Sequence, residues 1–354
     1  MARAQTISDR EQKFSPVDGS TIPEIDLVTK HGGQQTIGGL RIAAIACLFC
    51  NAIATVGIGL AADPPITAAA FSAAGTELVL GSQAGVRIEP WPISENRASQ
   101  SLDTQIENVH DIRLSPSGDH LLVAGGSPAR RGMIEQWSWP ERELQRRIVI
   151  SDDVVYQTAW TPDSSKWIAA CADAKCRVFQ SESGKELLAY EGHSRPVLGI
   201  DWIGVDQQVV SVGVDQTMRL WDASTGKHVR TLDNHLDTIH GVISLRGEQS
   251  SQPVVVTFGD DQTVRLWQPT IGRMMRFIKL ASKPNCAAVS YDGKRIYVGC
   301  QDGSVHWIET QSMKLIGQRM TTLASVFEIL LAPDNEHFVV CGIGGMDVLA
   351  VERE

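Results

Sequence analysis

His193, Ser211 and Asp215 return further along the chain as His235, Thr257 and Asp261, and each set is accompanied by an indole, Trp221 or Trp267. An imidazole, a hydroxyl and a carboxylate are the parts of nucleophilic hydrolysis: the imidazole takes the hydroxyl proton and the carboxylate orients the imidazole. The same groups can equally form a buried relay of hydrogen bonds with no reaction to perform. Two features favour the relay: the set is written twice, and serine gives way to threonine while the indole stays. A single active site requires neither feature, whereas a scaffold of repeated parts uses both.

Other chemistry is sparse, and no cofactor or metal site is expected. His235 and His240 lie five residues apart without an acidic partner at metal-ligand spacing. The sequence has no HExxH pair, glycine-rich phosphate cradle or EF-hand loop. His110, His120, His228, His306 and His337 are expected in strands, turns or at the surface. "CLFC" at Cys47 to Cys50 is followed by Asn51 where haem attachment needs histidine, and reads as small residues in an apolar run. Beyond residue 63 come Cys171, Cys176, Cys286, Cys300 and Cys341. An odd count argues against a full disulfide framework, so most are expected as small buried side chains. One pair earns a hypothesis. If a two-residue turn in "CADAKC" pairs Ala172 with Lys175, Cys171 stands opposite Cys176 with Cα atoms about 4.5 to 5.5 Å apart, within disulfide reach.

Charge bounds the partners. The chain carries 32 basic and 41 acidic residues. Residues Met1 to Arg41 are balanced, so the deficit belongs to the rest of the chain. An acidic domain without basic runs is a poor ligand for phosphate backbones, and no nucleic-acid partner is expected. Arg130, Arg131, Arg142, Arg146 and Arg147 form a local exception that reads as solvated surface. Between the polar segment 1–41 and Asp63, residues 42–62 carry no charge. Their length suits a bilayer span, and their basic entry flank and small exit residues suit an export signal. Both readings place residues 63–354 outside the cytoplasm, with membrane contact only through this segment if it is retained.

The elements that must position these residues follow from a period. Trp137, Phe179, Trp221, Trp267, Ile308 and Val351 fall at equivalent places, 42, 42, 46, 41 and 43 residues apart, and a further unit ends near Glu89 to Trp91. Each unit reads as four short strands, with turn sequences such as "SPSGD" at Ser115, "TPDSS" at Thr161 and "APDN" at Ala332. Units of about forty residues cannot bury their own apolar faces and must stack or close into a ring. Seven such units over residues 63–354 predict an all-β, seven-bladed propeller of four-stranded antiparallel blades. Phe71, Trp160 and Trp202 share one position in the first strands, which predicts core packing.

At this point "EGHSRPVLGIDWIGVDQQVVSVGVDQTMRLWD" resembles the WD-repeat propeller family in its Gly192-His193 opening, its Asp215 turn and its Trp221-Asp222 ending. "DNHLDTIHGV" and the ending Trp267-Gln268 repeat the pattern in the next unit. Elsewhere the likeness rests on period and turn position. The resemblance implies structural tetrads of His193, Ser211, Asp215 and Trp221, and of His235, Thr257, Asp261 and Trp267, once the loop Gly247 to Pro253 is allowed for. It also implies that the last blade is usually completed by a strand from the chain's beginning. Here the residues in that place are the end of the apolar segment, so blade seven is expected to keep three strands, with Met346 to Val351 as an edge guarded by Glu352, Arg353 and Glu354.

The implied function is a noncatalytic protein-interaction scaffold, a monomeric ring. Its candidate contacts are Arg130, Arg131, Asp152, Asp153, Arg195, Asp237 and Asp260 on one loop face. The alternative is a lactonase-like or quinone-cofactor propeller with its site in the central channel. That reading needs ligating side chains on several first strands, where only His110, Asp111 and Asp201 offer any.

Overall fold

Short runs of alternating or β-branched residues, each closed by a turn sequence, give 27 strands in the computed structural model, which describes residues 63–93, 97–204, 207–245 and 252–351. Blade 1 holds β1 (Ile66–Phe71), β2 (Glu77–Ser82), β3 (Gly85–Pro90) and β4 (Gln100–Leu102). Blade 2 holds β5 (Val109–Leu114), β6 (His120–Ser127), β7 (Arg131–Ser138) and β8 (Leu144–Ser151). Blade 3 follows with β9 (Val155–Trp160), β10 (Lys166–Cys171), β11 (Cys176–Gln180) and β12 (Glu186–Tyr190). Blade 4 is β13 (Val197–Ile203), β14 (Gln208–Gly213), β15 (Met218–Asp222) and β16 (His228–Leu232). Blade 5 is β17 (Ile239–Ser244), β18 (Val255–Gly259), β19 (Thr263–Gln268) and β20 (Arg273–Lys279). Blade 6 is β21 (Pro284–Val289), β22 (Arg295–Cys300), β23 (Ser304–Glu309) and β24 (Lys314–Met320). Blade 7 has β25 (Ser325–Leu331), β26 (His337–Ile343) and β27 (Gly345–Ala350).

Every blade is antiparallel in chain order; the first six have four strands and the seventh has three among the described residues. Segments 1–41 and 42–62, the "CLFC" pair and residues 352–354 lie outside the described residues.

A blade has two apolar faces, and neither is covered from within. The apolar side chains therefore gather between blades, in seven clusters that occupy the seven junctions. Trp221, fully buried, sits in the cluster between blades 3 and 4 and stacks on Tyr190 with ring centroids 4.6 Å apart. Trp267 fills the next junction with Val210, Val212 and Leu220. The last cluster joins Ala69, Leu78, Leu80 and Trp91 of blade 1 to Val339 and Cys341 of blade 7, so packing closes the ring across the three-stranded blade.

Register fixes the repeat. Val209 faces Trp221, Val255 faces Trp267, Trp167 faces Phe179 and Leu121 faces Trp137. By the same rule Phe338 faces Leu349, so the last anchor of the period is Leu349 and not Val351. Glycine is required where the second strand ends. A Cβ on Gly213 would come within 2.2 Å of the Pro196 carbonyl, and one on Gly259 within 2.2 Å of the Thr238 carbonyl.

The proposed Cys171–Cys176 disulfide is overturned. Ala170, not Cys171, pairs with Cys176, so the turn is one residue longer than expected. Cys171 then joins the cluster between blades 2 and 3 while Cys176 joins the one between blades 3 and 4, on opposite faces of the sheet. Both thiols are free and buried. The longer turn has a cause: Ala174 takes a left-handed φ of 65°, as do Gln216 and Gln262 in the matching turns of blades 4 and 5.

Candidate functional site

The sequence Asp-Gln-Thr occurs where β14 turns into β15 and again where β18 turns into β19. Asp215 Oδ1 accepts from the Thr217 N–H at 3.2 Å and its hydroxyl at 2.8 Å, which holds Gln216 in its left-handed conformation. Asp261 does the same for Thr263, at 3.0 and 2.6 Å. The other carboxylate oxygen is then free to face inward.

There it meets the histidine. His193 Nδ1 lies 2.9 Å from Asp215 Oδ2, and its Nε2 lies 2.8 Å from Ser211 Oγ, which takes the Trp221 indole N–H at 3.2 Å. In blade 5 the corresponding distances are 2.9 Å for His235 to Asp261, 2.7 Å for His235 to Thr257, and 2.8 Å for Trp267 to Thr257. With the Nδ1 proton facing the carboxylate, each group donates to the next: indole to hydroxyl, hydroxyl to Nε2, Nδ1 to carboxylate. Burial alone would raise the Asp215 and Asp261 acids, but the imidazole and hydroxyl donors hold both well below the usual carboxylate range. Burial lowers His235, against the pull of Asp261. Ser211 and Thr257 are wholly buried, and each hydroxyl is occupied by an imidazole and an indole. Both hydroxyls are thus committed within the relay, away from the surface.

The relays do something further. Asp215 Oδ2 also accepts the backbone N–H of Ser194 at 3.1 Å, and Asp261 Oδ2 that of Leu236 at 3.2 Å. The residue after each relay histidine is thereby pinned from beneath, and the loop beyond it points into solvent. Ser194, Arg195, Leu236 and Asp237 are all exposed, Leu236 to 80%. Antiparallel alternation puts the turns between second and third strands at the same end of the ring as these loops. Arg130, on the β6–β7 turn, Arg131 at the start of β7, and Asp152 are exposed there too. Asp153 is spent locally, its carboxylate accepting the Val154 N–H at 2.8 Å. Asp260 is the most committed of the seven candidates, between His240 at 2.9 Å and Lys283 at 3.2 Å.

Leu236 was missed because a lone leucine between polar residues gives no period. The basic group noted in the sequence also divides. Arg142 pairs with Glu77 and lies over Trp139, Arg146 donates to the Ser181 and Glu182 carbonyls at 2.7 Å each, and Arg147 pairs with the buried Glu135 at 2.7 Å. Only Arg130 and Arg131 remain at the loop face.

The central channel is a cavity of about 680 Å³ lined by the inner strands of all seven blades. Its polar side chains mostly stitch neighbouring blades together. Asp111 accepts from the Thr158 N–H and hydroxyl at 2.7 and 2.6 Å, Gln157 from the Ile200 N–H at 2.8 Å, and Asp201 from the Ser244 N–H at 2.7 Å. Trp160 and Trp202 donate their indole N–H groups across the same junctions, to the Arg113 and Ala159 carbonyls at 3.2 Å each. Burial pushes His110 down to about 4. Glu328 is raised to about 7 by burial, against the pull of Arg113. Among the described residues, no three His, Cys, Asp or Glu side chains converge as metal ligands.

The model of the family described as "WD domain, G-beta repeat" matches residues 184–222, the outer strand of blade 3 through the third strand of blade 4. That span holds one complete relay, and the fold repeats its unit around the ring. Blade 4 thus matches a WD40 repeat, and the chain is similar over part of its length to proteins named for that repeat. It is 22% identical over 162 residues to the "WD repeat-containing protein 91 homolog" of Dictyostelium discoideum, covering 45% of this chain and 21% of that protein. It is 25% identical over 136 residues to the "WD repeat-containing protein VIP3" of Arabidopsis thaliana, covering 36% of this chain and 42% of that one. The "tRNA (guanine-N(7)-)-methyltransferase non-catalytic subunit wuho" of Drosophila mojavensis is 28% identical over 121 residues, 33% of this chain and 30% of its own length. The matched region of the propeller thus spans less than half the length of each of these relatives.

Proposed function

We propose that this WD40 propeller is a noncatalytic protein-interaction scaffold, and that its partner docks on the loop face where Arg130, Arg131, Asp152, Arg195, Leu236 and Asp237 emerge. One observation carries the reading: the relay carboxylates of Asp215 and Asp261 hold the backbone of Ser194 and Leu236, so the display loops are fixed before any partner arrives. A preformed loop loses little conformational freedom on binding, which favours affinity. An exposed leucine between charged neighbours on such a loop has the character of an apolar anchor with a polar surround. The name of one relative, a non-catalytic subunit, is consistent with this role. The channel supports the enzyme alternative less well, because most of its polar side chains are engaged in blade-to-blade bonds.

We also propose that the propeller works outside the cytoplasm. The support is residues 42–62, uncharged and preceded by Arg41. A reporter enzyme active only outside the cytoplasm, fused after Glu354, reads this directly: activity is expected, and inactivity would refute the placement. The docking face is tested by the double variant Arg195→Glu with Asp237→Lys. It should lose partners that co-purify with the wild-type chain while keeping its fold; unchanged recovery of every partner would exclude this face.

A further inference from the structure

Charge is distributed unevenly around the ring. From Thr263 to Met320 the chain has nine basic residues, Arg265, Arg273, Arg276, Lys279, Lys283, Lys294, Arg295, Lys314 and Arg319, against three acids, Asp292, Asp302 and Glu309. This surplus stands in a chain whose net charge is -9. Four of the nine are engaged elsewhere: Arg265 with Asp261, Lys283 with Asp260, Lys294 with Asp292, and Arg295 within its own surroundings. The other five sit on β20 and β24, the outermost strands of blades 5 and 6, and all five are exposed. None has an ion-pair partner among the described residues. The three acids are held in turns, Asp292 by Ser290, Asp302 by Ser304 and Glu309 by Ser312.

The same two strands carry large apolar side chains in water. Phe277 is 54% exposed, Leu315 43%, Ile316 47% and Met320 62%. Arginine and lysine interleaved with aliphatic and aromatic residues, without an acid on either strand, is the composition of a surface that settles into the boundary of an anionic bilayer. Phosphate backbones would use the cations but not Ile316 or Met320. A peptide segment is best held in a concavity, whereas the outer strands of a ring lie on its convex perimeter.

We propose that the outer rim of blades 5 and 6 docks on an anionic lipid surface, with Arg273, Arg276, Lys279, Lys314 and Arg319 facing headgroups and Phe277, Leu315, Ile316 and Met320 entering the boundary. The docked ring stands on its rim, which leaves the loop face open to protein partners. The rim is a different surface from the docking face, so the two readings stand or fall separately.

The test uses the full chain with Cys47 and Cys50 replaced by serine and an environment-sensitive dye on Gln318→Cys, the remaining cysteines being buried. Vesicles are phosphatidylcholine alone or with phosphatidylglycerol, each containing a membrane-embedded quencher. Quenching at position 318 is expected only with phosphatidylglycerol, and it should weaken as salt rises. The variant Arg276→Glu, Lys314→Glu, Arg319→Glu should lower the apparent affinity on the order of a hundredfold, from about fivefold per cation. Ile316→Ser with Met320→Ser should abolish quenching while leaving a salt-sensitive attraction. Equal quenching on both vesicles, or none on either, would overturn the assignment. Retention of wild-type quenching by the charge-reversed variant would overturn it as well. Loss of lipid docking with partner recovery unchanged would confirm that the two surfaces are independent.

Discussion

Asp215 and Asp222 lie seven residues apart in one blade, and each accepts four hydrogen bonds, yet their removal should differ by more than a factor of ten. Asp215 takes His193 Nδ1–H at 2.9 Å, the Ser194 N–H at 3.1 Å, and the N–H and hydroxyl of Thr217 at 3.2 and 2.8 Å. Asp222 takes the N–H and hydroxyl of Ser224 at 2.9 and 2.5 Å, and those of Thr225 at 2.9 Å each. Burial separates them. The Asp215 side chain is 4% exposed and backs onto a His193 side chain with no exposure, so Asp215→Ala strands donors that water cannot easily reach. Each stranded donor costs about 1 to 3 kcal/mol, and breaking a buried charged network about 3 to 5 in all. Asp222 lies in a solvated turn, where water replaces the lost acceptor and the cost is about 1 kcal/mol or less. The gap of at least ~2 kcal/mol is roughly a thirtyfold change in an opening equilibrium.

Ring proteins of repeats need not unfold in one step, so the assay is native-state hydrogen exchange resolved by blade. Asp215→Ala should lower protection across β14 and β15, with the β13–β17 junction affected next and blade 1 unchanged. Asp222→Ala should touch only the β15–β16 turn. Equal effects of the two variants, or a loss of protection spread evenly around the ring, would refute the reasoning from burial.

Other consequences follow from the same geometry. Trp221→Phe should cost about 1 kcal/mol more than Trp137→Phe by denaturation, because the Trp221 indole N–H is bonded to Ser211 and the Trp137 indole N–H has no partner among the described residues. Glu328 and Asp215 should give opposite pH dependences. The Glu328 acid is raised in the folded state to about 7, so its contribution is most favourable below its ordinary pKa of about 4.3 and is lost as pH rises through 7. Glu328→Gln should therefore stabilise the ring by about 1 to 2 kcal/mol at pH 8 and by little at pH 4, measured as paired melting curves. The Asp215 acid is depressed, so its contribution is full above about pH 4 and fades as pH falls below that, visible as acid-induced exchange in blade 4. Cys171, raised by burial to about 12, and Cys176, raised further, should resist thiol reagents until the chain unfolds, and an oxidant should leave them unpaired.

The parts that were legible in the sequence are those that repeat. Trp221 and Trp267 gave the period, Asp-Gln-Thr gave the turn, and the histidines completed the relay, because identical local physics was written twice at one spacing. The Cys171 register was misjudged although its signal was present: "CADAKC" aligns with "GVDQTM" at Gly213 to Met218, and that alignment carries the three-residue turn with its left-handed last residue, Ala174 or Gln216. The blade-to-blade bonds of Asp111, Gln157 and Asp201 were illegible for a different reason. Each side chain bonds a residue in the next blade, 43 to 47 positions away, and only the ring brings the two together. Leu236 and the rim of β20 and β24 depend on exposure, which one strand's sequence does not disclose.

The central claim is that the loop face, held by the relays, is where the partner docks. A photo-crosslinking residue placed at Leu236 is compared in native cells with one at Tyr291, which is 67% exposed on the turn between β21 and β22 at the opposite end of the ring. Crosslinked protein adducts are predicted from position 236, absent from 291, and lost when Arg195→Glu and Asp237→Lys are added. Adducts from 291 alone, or adducts from 236 that persist in the charge-swapped chain, would contradict the account.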